Sequence, residues 1–200
     1  MNKKACIFLL LSIPLGSWIP ISNFHYLNYD IFVSENKIGE LRALKNETGP
    51  VTTYSIQTTI AFKVFEEYDI NYQLSTSYKN NQLIETSLKN RVNGSVENDV
   101  YLKWNGTKYQ GHNNKTPVIL ESKIHNSIAR LYFHEPIGVT KVFSEKLMKF
   151  QPLRANRKNE YVLNLEDENR SKYTYRNGIC TEVNSNKSFL KVLIKLRPSS

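Results

Sequence analysis

Along most of the chain, apolar and polar residues alternate in short runs that are broken by Asn- and Gly-rich turns. This is the period-two signature of half-buried strands. Tyr29 to Val33, a turn at Ser34–Asn36, and Lys37 to Leu41 read as a hairpin. A turn over Asn46–Pro50 leads into VTTYSIQTTIAFKVFEEYDINYQLSTSY. That run is rich in Thr, Tyr, Val and Ile, which suit a pleated, half-buried surface. Lys79–Gln82 turns the chain into LIETSLKNRV, and Asn93-Gly94 turns it again. Asn105-Gly106 and Asn177-Gly178 each sit between alternating runs and predict two-residue type I′ hairpins, which need positive φ at both central positions. Near the end, SFLKVLIKL sets Leu190, Val192, Ile194 and Leu196 on one apolar face.

One segment departs from the period. In VILESKIHNSIARLYF, Leu120, Ile124, Ile128 and Leu131 fall at helical spacing and predict a short helix around 119–131. The following stretch, IARLYFHEPIGVTKVFSE, also reads as a strand at Leu131–Phe133, a turn at Pro136 and Gly138, and a second strand from Val139. On that reading Glu145 comes near Arg130 across the turn, as a rim ion pair. The fold expectation is all-β: a single curved antiparallel sheet, an open half-barrel, with one short helix.

The N-terminus changes the picture of location. Lys3 and Lys4 precede the uncharged run ACIFLLLSIPLG, the n- and h-regions of a secretory signal. Residues 1–22 are therefore expected to be a signal peptide, with an uncleaved inner-membrane anchor as the alternative, since 17 uncharged residues approach the length of a membrane span. Residues 23–200 are then one domain, exported to the bacterial periplasm or envelope. Loss of the two lysines lowers the formal charge from +9 to +7. The remaining Lys and Arg are dispersed, which reads as a solvated surface and not as a nucleic-acid footprint. Cys180 stays without a partner once Cys6 has left, so the core must hold the domain without a disulfide.

Candidate chemistry is sparse. His134-Glu135 opens a zinc-protease motif, but the second histidine of HExxH is replaced by Gly138. His25, His112 and His125 lack ligand spacing, so no metal and no cofactor are expected. Cys180, two residues past a hairpin turn, faces Tyr175 and lacks a base beside it. Ser144 lacks the glycines of a nucleophile elbow. Glu66, Glu67 and Asp69 form one surface cluster and no facing pair. No catalytic residue is assigned.

Twelve Tyr, nine Phe and two Trp lie mostly within the alternating runs, enough to line the hollow of a curved sheet as well as its core. Three segments, YDIFVSENKIGEL, LYFHEPIGVTKVFSE and YTYRNGIC, thread the chain in an order and spacing that resembles a group of exported bacterial proteins of the domain-of-unknown-function kind. The resemblance implies an open half-barrel, similar to the Lol-type lipoprotein carriers, which hold an acyl chain on the concave face. At about 0.8 kcal/mol per methylene, a chain of about 14 carbons contributes on the order of 10 kcal/mol before ordering costs. The expected function is therefore a non-enzymatic envelope protein binding a lipid-like amphiphile in the concavity, with Tyr132, His134, Glu135 and Tyr175 lining or rimming it. The alternative is a protein–protein interaction or structural module of the envelope that docks an envelope protein on its sheet edge. A hydrolase comes third.

Overall fold

In the computed structural model, which describes residues 22–63, 67–165, 169–187 and 190–198, the alternation becomes one sheet. The signal segment and Glu66 lie outside the described residues. The first eight strands form a meander: β1 (Ser22–Val33), β2 (Asn36–Thr48), β3 (Val51–Lys63), β4 (Glu67–Lys79), β5 (Gln82–Val92), β6 (Ser95–Trp104), β7 (Tyr109–Asn113) and β8 (Thr116–Leu120). A four-residue helix, α1 (Ile128–Leu131), lies in the connection to the second meander. That meander comprises β9 (Lys141–Ser144), β10 (Lys149–Arg157), β11 (Glu160–Asn164), β12 (Arg170–Arg176), β13 (Ile179–Lys187) and β14 (Leu190–Leu196).

β14 returns to pair antiparallel with β1, from Tyr29↔Leu196 to Val33↔Val192, and joins the two meanders into a 14-stranded antiparallel sheet. β8 and β9 are its two edges, so the sheet is not closed into a barrel. The expected all-β, open architecture holds, with almost no helix.

Local turn chemistry explains much of the register. Asn93-Gly94 (φ 50° and 80°), Asn177-Gly178 (52° and 78°) and Asn80-Asn81 (50° and 60°) adopt the left-handed pairs that two-residue hairpins require. Tyr175 lies opposite Cys180, as the Asn177-Gly178 turn predicts. Two turns differ from expectation. Strand β2 runs on to Thr48, so only Gly49-Pro50 turns. Trp104 pairs with Tyr109 around a four-residue loop, because the Asn105 side chain accepts hydrogen bonds from the Thr107 and Lys108 amides and wraps the chain more widely.

The stretch after β8 also differs. The expected helix over 119–131 shrinks to Ile128–Leu131, since Thr116–Leu120 joins the sheet. The expected strand at Leu131–Phe133 does not form: that backbone continues out of α1 into a turn, with the Phe133 and His134 amides donating to the Arg130 carbonyl. Glu145 does not meet Arg130. It is 1% exposed, inside the protein.

The core sits where inward residues of β1 to β7 meet those of β9 to β13. Tyr29, Ile31, Leu41, Tyr54, Ile56, Leu74, Leu88, Leu102, Val142, Phe143, Leu163, Tyr173 and Val183 are all buried there.

Candidate functional site

The β8–β9 connection, residues 121–140, determines what the inner face can do. It crosses that face and is stitched to strands far apart in the sheet. The Leu83 amide of β5 donates to the Ile124 carbonyl (2.8 Å), and the Ile124 amide donates to the Tyr109 hydroxyl (3.2 Å). At the other end the Cys180 amide donates to the Tyr132 carbonyl (3.2 Å), and the Glu135 amide donates to the Gly178 carbonyl (3.0 Å). Between these anchors Ile124, Ala129, Leu131, Tyr132 and Phe133 are buried. The reason is apolar packing: these side chains occupy the space that the inward faces of β1, β3 and β12 would otherwise open to water.

The four residues singled out by sequence lie along this seam in two different settings. Tyr132 and Tyr175 are buried. The Tyr132 ring packs edge-on to Tyr29 (centroids 5.4 Å) and Tyr173 (6.5 Å), and the Tyr175 hydroxyl donates to the Leu131 carbonyl (2.8 Å). Burial raises the pKa of both phenols. His134 and Glu135 reach the rim but point apart. His134 Nε2 is 2.9 Å from the Tyr54 hydroxyl on β3, whereas Glu135 accepts the Tyr161 hydroxyl on β11 (3.0 Å). Cys180 is fully buried, and burial pushes its thiol up to about 12. His134, Glu135 and Cys180 do not converge on one pocket. Among the described residues, no group of three or more His, Cys, Asp or Glu is arranged to hold a metal ion.

His134 opens instead on a cleft of about 220 Å³ at the inner rim, between β2, β3, the β4–β5 turn and α1. Arg130 forms its wall. The guanidinium lies over the Tyr78 ring (4.8 Å to the centroid), and Nη1 donates to Asn81 Oδ1 (2.6 Å) and to the His125 carbonyl (2.5 Å). Lys45 and Glu47, a 2.9 Å ion pair on β2, complete the polar lining. Partial burial of the imidazole, reinforced by Arg130 and Lys45, pushes the His134 pKa down to about 4, so the ring is neutral at pH 7. Sequence reasoning missed Lys45, Tyr54, Asn81 and the role of Arg130, because they come from four separate segments and share no local motif. Only the tyrosine-rich alternation and the Asn80-Asn81 turn were visible signals.

No curated protein matches the chain. Among solved structures, the chain is similar to a β-barrel-like protein of the domain-of-unknown-function family DUF1849 from Brucella abortus. The TM-score is 0.60 at 14% identity, over 87% of this chain and 95% of that one, a likeness of fold alone. Residues 29–197 match the sequence model of the domain of unknown function DUF6134, and the chain belongs to that family.

Proposed function

We propose that this chain is an exported, non-catalytic envelope protein that takes an extended polypeptide segment of another protein into its sheet. One observation carries the reading. Strand β1 is paired on both sides only from Asn28 onward, because the last bond on the β14 side runs from the Arg197 amide to the Asn28 carbonyl (2.9 Å). Pro198 has no N–H with which to continue that ladder. Strand β13 ends at Ile179, level with Leu27 in the registers of β14 with β1 and β13, so among the described residues no strand pairs with the β14 side of Ser22–Leu27.

Backbone N–H and C=O groups on one strand point to the same side at every second residue. Since Asn28 points its carbonyl to the β14 side, Tyr26 and Phe24 present theirs to that same side, beyond the end of β14. The stretch SNFHYLN carries no Asp, Glu, Lys or Arg, and it exposes Phe24 (49%) and Tyr26 (67%) with stacked rings. Uncharged, unpaired edges are ordinarily covered or charged in monomeric proteins. Strand addition uses such an edge: main-chain bonds supply affinity and alternate side chains supply specificity. The segment that fits is extended and uncharged, with apolar residues at alternate positions beside Phe24 and Tyr26. Export is supported by the basic-then-apolar start of the chain.

The test is a photo-crosslinker at position 24 in cells, with and without Tyr26→Pro. Proline at 26 removes a donor on the open side, while the N–H groups of His25 and Leu27 still serve the β2 ladder. We expect one dominant crosslinked segment, lost in Tyr26→Pro. Absence of a crosslink, or one that survives the proline, overturns the reading.

A lipid-like ligand is the second reading, favoured by the inward tyrosines Tyr29 and Tyr173, which Tyr132 of the crossing segment covers. It requires residues 121–140 to give way. Solvent extraction and mass spectrometry of the natively purified protein decide it: a near-stoichiometric lipid supports it, and an empty protein counts against it.

A further inference from the structure

We infer that the rim cleft beside Arg130 binds a small oxyanion group, a carboxylate or a phosphate monoester. The inference does not depend on the strand-docking reading. Arginine is suited to this role because its planar fork meets two oxygens at once, provided that the fork is held in place and no protein carboxylate already fills it. Both conditions are met. The fork is fixed by the Tyr78 ring on one face and by Asn81 and the His125 carbonyl at Nη1. No carboxylate pairs with Arg130 among the described residues, whereas Arg197 pairs with Asp30 and Glu40, and Arg157 pairs with Glu160. Among the described residues, the Nε of Arg130 is buried without a hydrogen-bond partner. A buried donor on a cation is costly to leave without an acceptor.

The surroundings select charge and size. Glu47 is neutralised by Lys45 at 2.9 Å, so the unbalanced charge of the cleft is the single guanidinium. Asn81 spends its Oδ1 on Arg130, which leaves its Nδ2 as a donor on the same rim. At about 30 Å³ per water in the liquid, 220 Å³ corresponds to about seven waters, room for one oxyanion and part of its hydration.

The same chemistry occurs in a lipid headgroup and in a free solute, so the experiment carries both. NMR titration is read at the Asn81 Nδ2–H signals, present in every variant, and in the wild type also at Arg130 Nε–H, with inorganic phosphate, acetate and dihexanoyl phosphatidic acid below its micelle concentration. We expect a saturable shift, at least fivefold weaker in Arg130→Lys, which keeps the charge and loses the fork. Glu47→Gln, which leaves Arg130 and its supports untouched, is expected to tighten binding at least threefold. Phosphatidic acid binding at least tenfold tighter than phosphate assigns the site to a lipid headgroup; equal binding assigns it to a free oxyanion. The inference is overturned if no probe gives a saturable shift at 20 mM phosphate or acetate, or if binding is unchanged in both Arg130→Lys and Glu47→Gln.

Discussion

The Glu145 carboxylate caps the backbone of Ala129 from inside the protein: Oε1 accepts the Ala129 amide at 3.1 Å across a separation of 16 residues, and Oε2 accepts the Ile128 amide at 3.2 Å. The side chain thereby ties the β9–β10 turn to the crossing segment. Thr76 on β4 also donates to Oε1 (3.4 Å). Glu145→Ala leaves buried donors without an acceptor and is expected to cost about 2–4 kcal/mol, read from urea denaturation. Glu145→Gln, which keeps one acceptor, is expected to cost less than half as much.

Burial raises the Glu145 pKa, so the folded state keeps its proton at a pH where the unfolded chain has released it. The unfolded state then binds fewer protons, and this residue's contribution to stability falls as pH rises from the ordinary carboxyl range through the folded pKa. Denaturation midpoints between pH 4 and pH 8 are expected to show this decline in the wild type and to lack it in Glu145→Gln.

His134 works in the opposite direction. Its folded pKa is held near 4, below the unfolded value near 6.5, so its contribution is complete above pH 6.5 and is lost as pH falls toward 4. Because the residue is exposed at the rim, the loss is expected to stay below about 1 kcal/mol. His134→Gln is expected to remove it, as read from the same midpoints.

Cys180 has its amide bonded to the Tyr132 carbonyl and its carbonyl accepting the Tyr29 hydroxyl (2.8 Å), and its thiol is out of reach of solvent. With thiolate formation pushed to about 12, thiol labelling of the native protein at pH 8 is expected to proceed only through opening of the crossing segment. Tyr29→Phe removes one of these bonds and is expected to destabilise by about 1 kcal/mol and to speed labelling. Labelling as fast as a free thiol contradicts the burial.

Gly111 on β7 has no room for a side chain: a Cβ there would stand 1.9 Å from the Tyr101 carbonyl oxygen of the adjacent strand. Gly111→Ala must push two paired strands apart and is expected to cost about 2 kcal/mol or more. Gly94→Ala, with open space around it but a positive φ of 80°, is expected to cost about 1–2 kcal/mol. Thermal unfolding of the two variants side by side separates steric clash from backbone strain.

Strands and most turns were legible in the order of residues, because alternation and Asn-Gly chemistry act over two to four positions. The apolar face of Val192, Ile194 and Leu196, the Asn93-Gly94 and Asn177-Gly178 hairpins, and the Tyr175–Cys180 pairing are such features. The stretch from Ile128 to Phe133 was ambiguous because its spacing suits both a helix and a strand, and what decides it is the distant Glu145 carboxylate at the first amides of the helix. Tyr132 and Tyr175 carried the aromatic signal but not its meaning: whether such a ring lines a hollow or packs a core depends on whether something crosses the hollow. The cleft at Arg130, the edge of β1 at Phe24 and Tyr26, and the joining of β14 to β1 arise only when segments far apart in the chain become neighbours. The local physics of the chain determined its strands; the tertiary pairing of those strands decided which faces stay open, because burial belongs to the assembled sheet and not to any one segment.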